Sequence, residues 1–304
     1  MISLSVPQCW LLVKKSVTAW IADYAPSMGA ALSYYTVFSL APTLLIVISV
    51  AGLVFGAEAV RGEIFAQLNY LMGPAAAATI QQVLASVHQP ARGISGTVIG
   101  VALVLAGATS VFGELQNALD RIWRASARES SGILSLIHTR LMSFAMILGI
   151  AFLLIVSLVL SAAISALGKW WAGAFGHWEL LAQTVNAVVG FVITAACFAA
   201  IYRIIPRVTI RWRDVWLGAC VTALLSTVGR LLIGIYIGKT GIASVFGAAG
   251  SLVVVFVWVY YSAQIFLLGA EFTRQYALTY GSLRGLDRAA AKGEDSPPMA
   301  GRRI

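Results

Sequence analysis

Five long, predominantly apolar segments of this chain contain no Asp, Glu, Lys or Arg, and no other feature of the sequence restricts its fold as strongly. They are Met28–Ala57, Gly93–Gly113, Leu141–Gly168, Leu180–Tyr202 and Ser251–Ala270. A helix needs about 20 apolar residues to cross the hydrocarbon core of a bilayer, and each segment is long enough to do so. Only 11% of the 304 residues are charged, whereas an average soluble domain has roughly 25%. The sequence therefore predicts a polytopic membrane protein.

One further span is predicted where a single charge interrupts an apolar stretch. Val215–Gly229 is apolar, Arg230 follows it, and Leu231–Gly238 is apolar again. The predicted fold is an all-α membrane helix bundle with six transmembrane helices in one domain, residues 1–280. A tail of small, charged and proline-containing sequence follows at 281–304, and this composition predicts a disordered cytoplasmic segment. The six spans are predicted at 28–56, 93–115, 141–167, 181–205, 215–238 and 249–272.

Two more segments are amphipathic and are predicted to lie at the membrane surfaces. Ile64–Val87 is free of charge, but the Gly73–Pro74 pair interrupts helix continuity. We therefore predict two short interfacial helices at the outer surface, and partial insertion is the alternative that the sequence leaves open. Trp10–Tyr24 is predicted to be an interfacial helix on the cytoplasmic leaflet. Its apolar side chains share one face at helical spacing: Trp10, Val13, Val17, Ile21 and Tyr24.

The distribution of Lys and Arg predicts the orientation of the chain. With six spans, most of the 21 basic residues fall in the segments assigned to the cytoplasm, which are 1–27, 114–140, 203–214 and 271–304. Cytoplasmic segments of membrane proteins carry an excess of Lys and Arg. We therefore expect a multi-pass protein of the inner (plasma) membrane with its N- and C-termini in the cytoplasm. Nucleic-acid binding needs a clustered basic patch, which short basic segments between apolar runs do not provide.

Four stretches of the sequence form a recognisable set. They are GAALSYYTVFSLAPTLL at 29–45, ATSVFGELQNALDRIW at 108–123, the segment from Tyr202 to Pro206, and FGAAGSLVVVFVWVYYSAQIFLLGAEFTRQYA at 246–277. Together they resemble the YihY/BrkB family, which has been described both as ribonuclease BN and as virulence factor BrkB. The resemblance implies an inner-membrane protein with about six spans. The family has been associated with serum resistance and suspected of moving lipids or lipid precursors.

The ribonuclease description can be compared with the side chains that such chemistry needs. Hydrolysis of RNA needs a metal held by His and carboxylates, or an acid–base pair that contains His. The three histidines, His88, His138 and His177, each stand alone in the sequence. A phosphate-binding GxxxxGK[ST] loop is also missing from the sequence. We therefore expect no catalytic residues, no metal site, no cofactor and no enzymatic activity.

Arg230 is the sharpest candidate for a functional residue, because it lies within a predicted span. An Arg at such a depth costs at least ~2.5–3.5 kcal/mol on insertion scales, so it usually faces a partner or a hydrated cavity. One interpretation is that its long side chain reaches the outer headgroups or pairs with Glu58 or Glu63. The other interpretation is contact with a substrate or an ion.

Five more residues complete the candidate substrate path or gate. Glu114 and Glu271 lie at the cytoplasmic ends of the second and sixth spans, where they form either a gate or simple anchors, with Glu271 in a surface ion pair. Gln264 and Tyr261 in the sixth span, and Tyr35 in the first, are polar groups in an apolar setting. Gln264 and Tyr35 are predicted at similar depth. Such groups either bond between helices or line a polar path.

Two functional hypotheses follow, and the residues leave both open. The first is a transporter or flippase-like protein for a lipid or an amphiphilic envelope component, with membrane lipids as its partners. The second is a non-transporting membrane scaffold or envelope-assembly partner. A polar groove open to one leaflet would favour the first, and a tightly packed apolar core would favour the second. Nothing in the sequence indicates an oligomeric state.

Overall fold

The computed structural model of the protein describes residues 6–72, 74–87, 110–125, 178–208, 210–240 and 250–284. Every regular element among these residues is an α-helix and none is a β-strand, so the predicted all-α class is confirmed for them. The helices are α1 (Val6–Ala22), α2 (Ala25–Phe55), α3 (Ala57–Met72), α4 (Pro74–Val87), α5 (110–122), α6 (Trp178–Ile204), α7 (Trp212–Thr240) and α8 (Gly250–Thr279).

Three of the described helices are long and apolar enough to cross a membrane, judged by length and composition. The qualifying stretches are Ala187–Ile204 of α6, Trp212–Tyr236 of α7 and Leu252–Thr279 of α8. They correspond to the fourth, fifth and sixth predicted spans. Helix α2 has 31 residues and is about 46 Å long, and it covers nearly all of the first predicted span. The predicted spans at 93–115 and 141–167 lie largely outside the described residues, so the count of six stays a prediction.

The described residues belong to two compact units. The first unit is drawn from the chain segments Met1–Ile122 and Leu225–Glu271, and the second unit from Trp123–Leu224 and Phe272–Ile304. Each unit has its own buried apolar side chains, such as Ile48 and Val254 in the first unit and Ile210 and Val215 in the second.

Helices α2 and α8 pack antiparallel in the first unit. The Gln264 side chain of α8 meets the first turn of α2. Further along α2, the Phe38 ring lies 6.5 Å from the ring of Phe256, and Ile48 packs in the same core as Val254. Residue numbers therefore rise along α2 as they fall along α8. The start of α2 and the Gln264 segment of α8 lie at the same end of this unit, as expected for spans that cross in opposite directions.

Helices α3 and α4 divide the charge-free segment that the sequence left ambiguous. α3 ends at Met72 and α4 begins at Pro74, so the predicted break and the two short helices are confirmed. Their position at the outer membrane surface stays a prediction, and the structure adds that Ile80 and Leu84 of the apolar face of α4 are buried. They pack in a core with residues of α2 and α8: Ile48, Val254, Val255 and Val259. Ile80 and Leu84 of α4 are therefore covered by protein.

Helix α1 is held by one face and leaves its other face exposed. Leu12 and Ser16 are buried, and the Ser16 hydroxyl donates to the Leu12 carbonyl at 2.8 Å. The predicted apolar face lies opposite and its side chains are exposed: Trp10, Val13, Val17, Ile21 and Tyr24. An exposed apolar stripe is what an interfacial helix presents to lipid.

The turn between α1 and α2 is set by Tyr24, whose φ of 57° lies in the left-handed region. Few residues other than glycine adopt this conformation. Pro26 follows in the first turn of α2, where a missing N–H costs no helical hydrogen bond. The guanidinium of Arg121 lies 5.5 Å from the centre of the Tyr24 ring, within cation–π range. This contact joins α5 to the turn.

In the second unit, α6 and the first half of α7 form a hairpin. Tyr202 and Thr222 are both fully buried, and their hydroxyl oxygens lie 3.1 Å apart in a hydrogen bond. The connecting segment is anchored by Ile205 and Ile210, which are buried. A hydroxyl pair between two apolar helices satisfies both groups where water is absent, so it fixes the pairing of α6 with α7.

Candidate functional site

Three of the six candidate site residues lie along one helix of the first unit. We call Tyr261, Gln264 and Glu271 the α8 polar seam. Gln264 and Glu271 are seven residues apart, which is nearly two full turns, so they share one face of α8 about 10 Å apart along the axis. Tyr261 precedes Gln264 by three residues and lies on a neighbouring face.

Gln264 fits against the first two turns of α2 because Gly29 lies there. A Cβ atom on Gly29 would collide with the Gln264 amide group. The amide Nε2 donates to the Pro26 carbonyl at 3.4 Å, whereas Oε1 is buried and accepts no hydrogen bond from the described residues. Gln264 therefore bonds between helices, as one sequence interpretation held. It also keeps an acceptor to spare.

Tyr261 connects the same helix to the second half of α7. A Cβ atom on Gly229 would lie 2.5 Å from Cδ1 of Ile265 and 2.9 Å from Cε1 of Tyr261. Gly229 is buried by this packing, and the candidate residue Arg230 comes next in the chain. Two glycines, one in α2 and one in α7, thus let α8 approach both helices closely.

Arg230 is half-buried, and its predicted acidic partners do not pair with it. Its Nη2 atom donates to the Thr227 hydroxyl at 3.5 Å, which is a weak contact within one turn of α7. Glu58 instead pairs with Arg61 at 3.4 Å, and Glu63 is exposed and forms no ion pair among the described residues. The proposed pairing of Arg230 with either glutamate was wrong, since both lie in α3 and point to solvent or to α3 itself.

Glu271 is the most deeply buried acidic residue in the described part of the chain. It is 0% exposed, as are Leu267 and Ala270 in the preceding turn. The predicted surface position of this side chain is therefore wrong, because the helix turns it towards the protein. Glu114 of α5 is half-buried on the face that carries the buried Ala118. Glu114 and Glu271 form no hydrogen bond with each other in the described part of the chain, and their role as a gate stays a prediction.

Tyr35 lies apart from the α8 polar seam. Its side chain is exposed, and its ring packs edge-on against Tyr34 at 5.5 Å. Gln264 meets α2 at Pro26 and Gly29, nearly two turns before Tyr35, so the predicted similar depth of Gln264 and Tyr35 was wrong. The predicted depths rest on helix ends at residues 28 and 272. In the structure α2 begins at Ala25 and α8 continues to Thr279.

The sequence interpretation missed a polar contact in the second unit. Asp214 is buried in the first turn of α7 and accepts two hydrogen bonds from Ser282, from the backbone N–H at 2.9 Å and from the hydroxyl at 2.6 Å. Gly281 packs directly on this carboxylate, with no room for a Cβ. The described residues therefore extend to 284, past the predicted start of the tail at residue 281. Asp214 is the only acid in the segment 203–214, which contains four arginines. This isolation was the signal in the sequence that could have indicated a special role for Asp214.

Metal chemistry finds no support in the described residues. They contain no group of three or more His, Cys, Asp or Glu side chains that could hold an ion. His88, His138 and His177, on which the ribonuclease comparison turned, lie outside the described residues. The absence of enzymatic activity stays a prediction from the sequence.

Comparison with known proteins places the chain in a family. The family model described as Virulence factor BrkB matches residues 17–294. A UPF0761 membrane protein of Alkalilimnicola ehrlichii is 27% identical over 96% of this chain and 64% of its own length. A UPF0761 membrane protein of Tolumonas auensis is 26% identical over 83% of this chain and 80% of its own length, and one of Verminephrobacter eiseniae is 27% identical over 83% and 58%.

The chain thus spans less than two thirds of the length of two of these three relatives. No solved structure matches it. Because the family model covers nearly all of the sequence, the chain belongs to the BrkB family of membrane proteins, as its four sequence stretches predicted.

Proposed function

We propose that this BrkB-family membrane protein moves a lipid or an amphiphilic envelope component, and that the α8 polar seam contacts the polar headgroup of that molecule. The observation that carries the proposal is the complete burial of Glu271 on the same face of α8 as Gln264. We place the protein in the inner membrane with both termini in the cytoplasm. The excess of basic residues in the assigned cytoplasmic segments and the antiparallel α2 and α8 support this orientation.

The energetics of Glu271 favour a functional role for its carboxyl group. Asp and Glu side chains are rare within a membrane span, and they commonly mark a substrate, ion or proton path. An apolar side chain of similar size would fill the same volume without the cost of removing a carboxyl from water. A role in packing alone therefore does not account for an acid at this position.

The rest of the α8 polar seam extends this polar line towards α2 and α7. Gln264 keeps a buried acceptor, Oε1, beside the first turn of α2. Tyr261 lies against Gly229, next to Arg230. The three seam residues span about 15 Å along α8, which is half the thickness of a hydrocarbon core of ~30 Å. A headgroup moving along this helix would meet a polar side chain at each step.

A non-transporting scaffold is the second candidate, and the packing of α3 and α4 favours it. These helices are fixed on α2 and α8 by buried apolar side chains, among them Ile80 and Leu84. The opposite side of α3 is exposed, including Glu58 and Glu63. An exposed polar surface of this kind suits contact with an envelope partner.

The test is leaflet-resolved lipid analysis of cells that express the wild type, Glu271→Gln or no protein. Gln keeps the size and the hydrogen-bonding capacity of the side chain but cannot carry a negative charge or exchange a proton. We expect Glu271→Gln to reach wild-type abundance in the membrane while the lipid distribution changes to that of cells without the protein.

The matched control is Glu63→Gln, the same chemical change at an exposed position of α3. It should leave both abundance and lipid distribution unchanged. If the wild type and the protein-free cells have the same lipid distribution in both leaflets, the transport proposal fails. If Glu271→Gln keeps wild-type abundance and distribution, the carboxyl is not used and the scaffold becomes the better explanation.

A further inference from the structure

We propose that the second unit binds the phosphate groups of anionic phospholipids on a surface formed by the α6–α7 connection and the end of α8. We call this the arginine surface. It consists of five arginines and two tryptophans: Arg203, Arg207, Arg211, Arg213, Arg284, Trp212 and Trp216. The inference concerns a different part of the chain from the α8 polar seam and does not depend on transport.

The connecting segment is built so that its apolar residues point inward and its arginines point outward. Ile205, Pro206 and Ile210 are buried, whereas Arg207 and Arg211 are exposed. The buried residues fix the backbone of the connection. The exposed guanidinium groups are therefore presented by a supported segment.

The one acid in this segment is withdrawn from the arginines. Asp214 is buried and accepts both hydrogen bonds of Ser282 through Oδ2, and its Oδ1 faces Gly281. Arg211 and Arg213 are exposed and form no ion pair with any acid among the described residues. Arg211 and Arg213 therefore keep a positive charge that no described acid neutralises, and an anionic ligand would match it.

The same contact adds a fifth arginine. Ser282 is held at Asp214, and Arg284 is exposed two residues further on. The Leu283 N–H donates to the Ala277 carbonyl at 3.0 Å, which turns the chain back at the end of α8. Asp214 thus contributes to the arginine surface indirectly, because it holds Ser282 and so the segment that carries Arg284.

The depth of the arginine surface points to lipid and not to a soluble partner. The candidate spans end at Ile204 in α6 and begin at Trp212 in α7, so the arginines lie within a few residues of both span ends. Trp212 and Trp216 are exposed one turn apart, and tryptophan is enriched at the level of the lipid headgroups. Arg203 lies over the Trp212 ring, with 5.7 Å between its Cζ atom and the ring centre. Basic residues next to a span attract anionic lipids, and the guanidinium fork matches a phosphate.

The experiment measures lipid binding to the full chain in non-ionic detergent by native mass spectrometry. The probes are phosphatidylglycerol and phosphatidylcholine with the same acyl chains. We expect the wild type to prefer phosphatidylglycerol. The Arg211→Gln/Arg213→Gln variant should bind phosphatidylglycerol about 25-fold more weakly. Each basic residue near an anionic surface raises the affinity about fivefold, and the variant removes two of them. Binding of phosphatidylcholine should not change.

Two further variants separate local recognition from net charge and from misfolding. Arg61→Gln/Lys239→Gln removes the same charge from predicted outer segments, and it should keep phosphatidylglycerol affinity within about twofold of wild type. Arg211→Lys/Arg213→Lys retains both charges but loses the planar fork, so its affinity should lie between those of the wild type and the Gln variant. A Lys variant that binds as weakly as the Gln variant would show that positive charge at these two positions does not hold the lipid, and it would overturn the proposal.

Three other results would overturn the proposal. The wild type could show no preference between the two lipids, the Gln variant could keep wild-type affinity, or the control variant could lose as much as the Gln variant. Inorganic phosphate is the last arm of the test. If it displaces phosphatidylglycerol at the concentration at which the lipid itself saturates, the surface is a site for free phosphate and not for lipid.

Discussion

Gly218 in α7 offers the clearest test of the helix packing. A Cβ atom placed on it would lie 2.7 Å from Cβ and 3.0 Å from Cγ2 of Thr273 in α8, and it would collide with Oγ1. Thr273 is fully buried, and its Cβ is attached directly to the helix backbone. No rotation about χ1 can move that atom away. Gly218→Ala therefore forces the two helices of the second unit apart.

The expected cost combines two opposing effects. Overpacking of a tight site costs about 1–3 kcal/mol. Replacing Gly by Ala inside a helix returns up to about 1 kcal/mol. The net expectation for Gly218→Ala is a loss of about 1–2 kcal/mol in the free energy of unfolding. The midpoint temperature of the protein in detergent, followed by tryptophan fluorescence, should fall by several degrees.

Gly234 provides the matched control in the same helix. No described atom lies within 4 Å of a Cβ placed there, so Gly234→Ala should be neutral or stabilising by up to about 1 kcal/mol. In the Gly218→Ala background, Thr273→Ala should restore only part of the loss, because the Thr273 Cβ at 2.7 Å remains. Equal melting temperatures for Gly218→Ala and Gly234→Ala would refute the close approach of α7 and α8 at Gly218.

Two more predictions concern the end of α8 and the topology. Asp214→Asn weakens two charge-assisted hydrogen bonds from Ser282, so it should lower the free energy of unfolding by about 1–3 kcal/mol. It should lower the melting temperature more than Ser282→Ala, which removes only the hydroxyl. A melting temperature for Asp214→Asn equal to or above that of Ser282→Ala would contradict the role of the carboxylate. In a background with the native cysteines replaced, a cysteine at Val208 should resist impermeant thiol reagents in intact cells, and one at Ala76 should react. The reverse labelling pattern would invert the orientation.

The sequence alone determined the class of the protein and the type of most helices. Charge-free runs of more than 20 residues have few folded solutions outside a bilayer, because only internally bonded helices satisfy the backbone there. The same logic located the break at Gly73–Pro74, since proline has no N–H for a continuing helix. It also grouped the exposed apolar side chains of α1, because helical periodicity is a local property of the sequence.

The candidate residues were found by a different and weaker signal. A polar side chain in an apolar run is visible in the sequence, so Gln264, Glu271 and Arg230 could be selected without a structure. The residues that these side chains contact could not be identified from the sequence. A helix of 3.6 residues per turn can present the same side chain to lipid, to protein or to water. Burial of Glu271 and the distance between Tyr35 and Gln264 depend on how helices that are distant in the chain pack together.

Tertiary structure alone decided which glycines and which acids are structural. The Gly234/Gly238 spacing fits a small-residue packing pattern, but Gly234 faces no described atom, whereas Gly29, Gly218 and Gly229 each lie under a side chain of α8. The partners of Gly29 and Gly218 lie 235 and 55 positions away in the chain, at Gln264 and Thr273. Whether a missing Cβ is used depends on the position of the other helix. Local sequence contains no information on that distance, and the packing of α8 supplies it.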